Sequence, residues 1–143
     1  MSTPAGTPEL SDEQIKNALR DAKTIAVVGL SDDPSRPSYG VAKYMQDHGY
    51  RIVPVSPKGG KILGEQAYPD LASIPFSIDI VNVFRRSEAV GPHVDEAIQT
   101  GAKMVWLQLG IHNDNAASKA QDAGIDVVQD RCIKIEHMRL ARD

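Results

Sequence analysis

The stretch GLSDDPSRPSYG, Gly29–Gly40, joins an apolar run to a segment of helical spacing and concentrates groups that bind anions. Gly29 permits a tight turn off a strand. Ser31 and Ser38 carry hydroxyl donors, and Arg36 offers a two-pronged fork that matches phosphate geometry. The helix that follows adds free backbone N–H groups and the positive end of its dipole. A dinucleotide fingerprint, G-x-G-x-x-G, would need glycine where Ser31 and Pro34 stand, so only Gly29 fits it. The loop therefore reads as a phosphate site of another kind. The plainer alternative is a turn capped by Ser31, with Arg36 in solvent.

Two further strand ends carry related groups. NAD-binding domains place an acid at the end of the second strand to hold the ribose 2′-hydroxyl. Here that end reads VPVSPKGG, with Val55, Ser56 and Pro57 leading to Lys58 and no acid. A cation there suits a ligand with a phosphate on its ribose, which leaves NADP or coenzyme A; the alternative is an exposed turn lysine. The next such end is VFRRSE. Phe84 packs on an adenine or in the core, and Arg85 and Arg86 stack on it, meet a phosphate or stay solvated.

Groups for covalent or metal chemistry are sparse. Cys132 and His137 lie too far apart in sequence to share a favourable helical face, and Cys132 reads as a buried structural residue. His48, His93, His112 and His137 show no metal-ligand spacing, Asp32–Asp33 reads as a solvated acidic turn, and no triad, nucleophile elbow or Walker motif is present. Trp106, within VWLQLG, belongs to a core strand.

The elements that hold these residues follow from periodicity. Ser11 and Gln14 form a capping box before a short amphipathic helix. Apolar runs near 24–29, 51–56, 79–84, 103–108 and 125–128 predict five strands. Helices alternate with them: one opened by Pro37, one over SEAVGPHVDEAIQT in which Pro92 is tolerated early or delays the start, one over NDNAASKAQDA, and a closing one over IKIEHMRLAR. Gly49, Gly101 and Gly124 sit where helix C-terminal caps hand over to strands. The second crossover, GGKILGEQAYPDLASIPFS, is polar and broken by prolines, and reads as a loop with a short helix. This alternation predicts a Rossmann-like, doubly wound α/β domain: a five-stranded parallel sheet, order 3-2-1-4-5, with helices on both faces. Residues 1–10 read as a flexible terminus and 11–143 as a single domain.

Composition narrows the classes. A net charge of −3 gives no basic field for nucleic acid. No apolar run approaches the roughly 18 residues of a membrane span, and MSTPAGTPEL is not a signal peptide. The one cysteine rules out an intrachain disulfide and suits a reducing cytoplasm.

Taken together, IAVVGLSDDPSRPSYGVAKYM, YRIVPVSPKGGKILGEQAYPDL, DIVNVFRRSEAV, MVWLQLGI and VVQDRCIKIEH resemble the small, single-domain CoA-binding proteins. Those are similar in turn to the N-terminal domain of the succinyl-CoA synthetase alpha subunit. The resemblance runs from about Lys23 to His137 and implies coenzyme A, free or acylated, at the carboxyl edge of the sheet. By position it implies that Gly29, Leu30 and Ser31, with Arg36, Ser38 and Tyr39 from the same loop, meet the phosphates or the start of the pantetheine. Val55, Ser56, Pro57 and Lys58 would line the adenosine-phosphate region, and Val83, Phe84 and Arg85 would flank the ligand on the other side. The synthetase segment that carries the phosphorylated histidine has no counterpart in this sequence, and Cys132-Ile133 stands where the small proteins often carry Cys-Pro. The expectation is a non-catalytic carrier or sensor of CoA, with a homodimer or a protein partner left open. An NADP-linked oxidoreductase, a CoA-dependent partner-binding module and an acyl transferase using Cys132 are the alternatives.

Overall fold

The computed structural model describes residues 9–141. Most of the expected flexible terminus, residues 1–8, lies outside the described residues, as do Arg142 and Asp143. Ser11 opens helix α1 (Asp12–Asp21) with the reciprocal cap its sequence implies: Gln14 N–H donates to Ser11 Oγ at 3.1 Å, and Ser11 N–H donates to Gln14 Oε1 at 2.8 Å.

The chain then alternates strand and helix: β1 (Thr24–Val28), α2 (Pro37–Asp47), β2 (Arg51–Val55), a small hairpin of β3 (Lys61–Ile62) and β4 (Glu65–Gln66), β5 (Ile80–Val83), α3 (Gly91–Thr100), β6 (Met104–Leu107), α4 (Asp114–Asp122), β7 (Asp126–Val128) and α5 (Ile133–Glu136). A π-helical turn, His137–Ala141, continues α5. Pro37 is the first residue of α2, and Pro92 delays α3, which starts at Gly91 after a separate 3₁₀ turn at Ser87–Ala89. Gly49, Gly101 and Gly124 take left-handed φ values of 96°, 77° and 86° at the helix ends, as expected of C-terminal caps.

β1, β2, β5, β6 and β7 form one parallel sheet, ordered β2-β1-β5-β6-β7. The doubly wound α/β class stands. The strand order does not: counted along the chain the five strands lie 2-1-3-4-5, not 3-2-1-4-5. Pro54 supplies the physical reason. Its carbonyl turns away from β1 to accept from Tyr68 N–H at 2.9 Å, and it has no N–H to offer a further strand. The outer side of β2 is met instead by Tyr68, whose carbonyl accepts from Ser56 N–H at 2.8 Å. The third sheet strand, β5, therefore pairs on the far side of β1, with Val27 opposite Asn82 and Val28 opposite Val83.

The second crossover also differs from expectation. It holds the β3–β4 hairpin and a 3₁₀ turn at Leu71–Ser73, capped by Asp70. The hairpin turns through Leu63 and Gly64, both at positive φ (55° and 77°), a conformation normally signalled by Asn-Gly. Gln46 in α2 donates from Nε2 to the Leu63 carbonyl at 3.0 Å and helps to hold that turn.

Two apolar layers sandwich the sheet. One packs Val28, Val81, Val83 and Leu107 against Leu71, α3 and α4. The other packs Ile25, Val27, Ile52 and Trp106 against α1, α2 and α5. At the amino edge Asp79 ties three strands together. Its Oδ2 accepts from the N–H groups of Lys23 (2.8 Å) and Thr24 (3.0 Å), its Oδ1 meets Lys103 Nζ at 3.4 Å, and its carbonyl accepts from Lys103 and Met104. Burial alone would raise the Asp79 carboxyl, but those N–H groups and the Lys103 ammonium outweigh it and hold it below 3.8.

A carboxyl depressed in the folded state adds stability above its ordinary value and loses it as pH falls through the lowered one. Asp79→Ala is expected to lower unfolding free energy by about 1–3 kcal/mol near neutral pH. In urea melts followed by circular dichroism, the wild-type and variant stabilities converge below the ordinary value of 3.8.

Candidate functional site

β1 is followed by α2 on one face of the sheet and β5 by α3 on the other, so the winding reverses between β1 and β5. In open α/β sheets the crevice outside such a reversal is where ligands bind. Gly29 stands on its floor, at φ 85°. Its N–H donates to the Val55 carbonyl at 3.1 Å, while Phe84 N–H donates to the Val28 carbonyl at 2.9 Å. A β-carbon at Gly29 would lie 2.6 Å from the Phe84 carbonyl oxygen and 3.4 Å from Arg85 Nε. Gly29 is thus required twice over, by its backbone conformation and by the close approach of the third strand end.

The predicted loop serines meet each other. Ser31 N–H donates to Ser38 Oγ and Asp33 N–H donates to Ser31 Oγ, both at 3.0 Å. Asp33 then accepts from Ser35 N–H (2.9 Å) and Ser35 Oγ (2.8 Å), which, with the Arg36 charge, holds its carboxyl below the usual range. These bonds prearrange the loop and occupy serine oxygens as acceptors, leaving the Ser31 and Ser38 hydroxyl hydrogens to donate. Leu30 and Ser38 are buried, Tyr39 is half-buried, and Arg36 is exposed at the N-cap of α2.

At the end of β2, Gly59 N–H donates to the Ser56 carbonyl at 3.1 Å, closing a turn with Pro57 and Lys58 at its exposed tip. Val55 and Ser56 are buried beneath it, and Val83 is sealed under β5's end. Phe84 is half-buried against the apolar layer of α1 and α2, so most of that ring packs as core. Arg85 folds back over Gly29. Among the described residues Arg36, Lys58 and Arg85 form no ion pair, in contrast to Arg131 and Arg139, which are held by Glu136. The helix N-termini differ in the same sense. α1 and α4 are capped by Ser11 and Asn113 and carry acids in their first turns. α2 and α3, the helices that flank the reversal, have neither a side-chain cap nor a first-turn acid. Unpaired cations thus follow the ends of β1, β2 and β5, and the two helices that flank the reversal begin without a side-chain cap or a first-turn acid.

His93, in the first turn of α3, belongs to the same field. Burial, aided by the nearby Arg85 guanidinium and opposed by Glu96, holds its imidazole below the ordinary 6.5. Two residues absent from the sequence-derived set lie one step deeper, Asn82 and Gln108, both buried at the ends of β5 and β6. The available signal was an amide inside an otherwise apolar strand, DIVNVF. Cys132 departs from expectation: it is half-buried at the N-cap of α5 rather than sealed in the core. His137 is engaged away from it, with Nδ1 2.9 Å from the Tyr44 hydroxyl. Trp106 is fully buried as expected, donating from Nε1 to the Arg131 carbonyl at 2.8 Å.

Gly29→Ala is expected to destabilise the fold by about 2–4 kcal/mol, from strain plus clash. Gly110→Ala, at φ 87° with nothing within 4 Å, adds left-handed backbone strain without a clash and should cost about 1 kcal/mol. Equilibrium urea denaturation compares the two. Arg85→Gln withdraws a positive charge from His93, so an NMR titration should show the His93 midpoint moving up towards 6.5.

Residues 23–138 match the family model of a CoA binding domain. The chain is 46% identical over 127 residues, covering 89% of it and 94% of its relative, to the uncharacterized protein YneT of Bacillus subtilis. A solved hypothetical protein from Pyrococcus horikoshii superimposes with a TM-score of 0.90 at 39% identity, over 98% of this chain and 99% of that one. The alpha subunit of an ADP-forming acetate–CoA ligase from Pyrococcus furiosus is 31% identical over 94 residues, 62% of this chain but only 20% of the subunit. With the reversal-point crevice, its cations and its bare helix N-termini in place, the family match gives the conclusion: the chain belongs to the CoA-binding domain family.

Proposed function

We propose that the crevice between β1 and β5 binds coenzyme A or an acyl-CoA, and that the protein acts as a carrier or sensor rather than as a catalyst. What supports this reading is that Arg36, Lys58 and Arg85, none of them in an ion pair with a described residue, follow the ends of β1, β2 and β5, and that α2 and α3 begin without side-chain caps. Coenzyme A has a diphosphate and a separate ribose 3′-phosphate, so it needs positive charge at two places. In the proposed pose Arg36, Ser31, Ser38 and the start of α2 take the diphosphate, with Leu30 and Tyr39 beside it. Lys58, lifted by the Ser56–Pro57 turn next to Val55, takes the ribose phosphate. Val83, Phe84 and Arg85 close the other wall.

The acetate–CoA ligase relative supports CoA as the ligand class but not a ligation step in this chain, since the match spans a fifth of that subunit. His137, which a thiol step at Cys132 would need as a base, is engaged with the Tyr44 hydroxyl instead.

Isothermal titration with CoA, dephospho-CoA and NADP tests the pose. The wild type should prefer CoA to dephospho-CoA, and Lys58→Ala should weaken CoA by about tenfold or more while leaving dephospho-CoA unchanged. Equal wild-type affinity for CoA and dephospho-CoA removes the role of Lys58. Absence of CoA binding, or binding of NADP in its place, overturns the reading.

A further inference from the structure

Asn82 and Gln108 are 1% and 6% exposed, yet each carries two polar atoms at the carboxyl ends of the two central strands. Their hydrogen bonds run one way. Asn82 Nδ2 donates to the Trp106 carbonyl and to Gln108 Oε1, each at 3.2 Å, and Gln108 Oε1 also accepts from Ile133 N–H at 3.3 Å. A carbonyl can only accept and a backbone N–H can only donate, so these partners fix both amides against a flip. What remains is one acceptor, Asn82 Oδ1, and one donor, Gln108 Nε2. Neither has a partner among the described residues, and Nε2 returns no bond to Oδ1, so the pair stays open.

The two remaining atoms are not sealed in the interior, because among the described residues no side-chain nitrogen or oxygen is both buried from solvent and unpaired. Trp106, in register beside Asn82, is fully buried, and Ile133 N–H meets Gln108 from the α5 side. The carboxyl edge is close by: Asn82 faces Val27 in register, and Gly29 and Phe84 stand two residues further along. A buried amide with one free edge is costly unless a ligand completes it.

Resting on the coenzyme A reading above, we infer that Asn82 and Gln108 form an amide-reading subsite that receives the pantetheine arm. The arm carries two amides in sequence. The arm thus offers a carbonyl to Nε2 and an N–H to Oδ1, and a turn in the two-methylene linker between the amides brings one of each to a single flank. The arm then runs down from the phosphates over Gly29 toward β6, and its reactive end comes out on the side of the loop after Gln108 and of the half-buried Cys132. A plain nucleotide ends before this pair and leaves it hydrated.

Gln108→Glu isolates the outward atom: it retains Oε1 for Asn82 and Ile133 and replaces only the free Nε2 donor with oxygen. Gln108→Met is its uncharged companion. Titration of each folded variant with CoA and with adenosine 3′,5′-bisphosphate, which lacks the arm, reads the subsite as a ratio of affinities. The preference for CoA over the bisphosphate should fall by about tenfold in both variants, with bisphosphate affinity in Gln108→Met within about twofold of wild type. If Gln108→Met melts below the assay temperature, Gln108→Glu decides by the same ratio. A wild type that binds CoA, with a ratio unchanged in the folded variants, overturns the subsite and leaves the CoA reading standing. A wild type that binds neither ligand, or binds NADP through its carboxamide instead, overturns both.

Discussion

The close approach of two strand ends governs this molecule. At Gly29 the chain leaves β1 with a left-handed φ and runs so near the Phe84 carbonyl that no β-carbon fits. That contact exists because β5, not a later strand, pairs with β1. It brings the first and third strand ends into one crevice and points the helices after them to opposite faces. Most groups proposed for the ligand hang from this junction, the Ser31–Ser38 loop on one side, Arg85 on the other and the Asn82–Gln108 pair nearby, while Lys58 is added from the neighbouring end of β2. A 3-2-1-4-5 order would have kept the third strand end away from Gly29, with β2 between them.

The two edges of the sheet are built on contrasting terms. At the amino edge polar groups are matched: Asp79 serves two N–H donors and a lysine, and Tyr50 donates its hydroxyl to the Leu19 carbonyl. Burial pushes that phenol up to about 12, so it stays protonated and the bond persists across ordinary pH. Near the C-terminal end, Glu136 gathers Arg131 and Arg139, and Arg139 reaches Asp12 in α1. Among the described residues, the carboxyl edge instead keeps Arg36, Lys58 and Arg85 without ion-pair partners, the N-termini of α2 and α3 without side-chain caps, and one atom each of Asn82 and Gln108 without a bond. Departures from full satisfaction that cluster in one place are the mark of a binding site, because the ligand supplies what the protein leaves open.

Much of this architecture follows from local sequence rules. The capping box at Ser11, the glycine stops at Gly49, Gly101 and Gly124, and the alternating apolar runs each reflect short-range physics that one segment contains by itself. Strand order is a long-range property, and there the one local clue was Pro54: a proline inside RIVPV marks a strand with a free outer side. The hairpin escaped notice because Leu63 adopts a conformation that asparagine or glycine usually signals, with Gln46 from a distant helix supporting it. Cys132 looked like a core residue by type, but its position before α5 leaves it half-buried.

Among the residues proposed for the site the split has the same origin. Gly29, Arg36 and Lys58 could be proposed from sequence because what suggests them lies in the segment that carries them: a turn, a helix start, a strand end. Asn82 and Gln108 were not, since each looks like an isolated polar residue until β5 and β6 lie side by side. Only the pairing shows that one amide orients the other and that the interior takes a donor pair from Asn82 and an acceptor from Gln108. An apolar pair at these positions would avoid the desolvation cost of two buried amides and would pack against Trp106 equally well. Two amides that satisfy the core on one edge only are therefore better explained by what they present on the other edge than by what they add to the core.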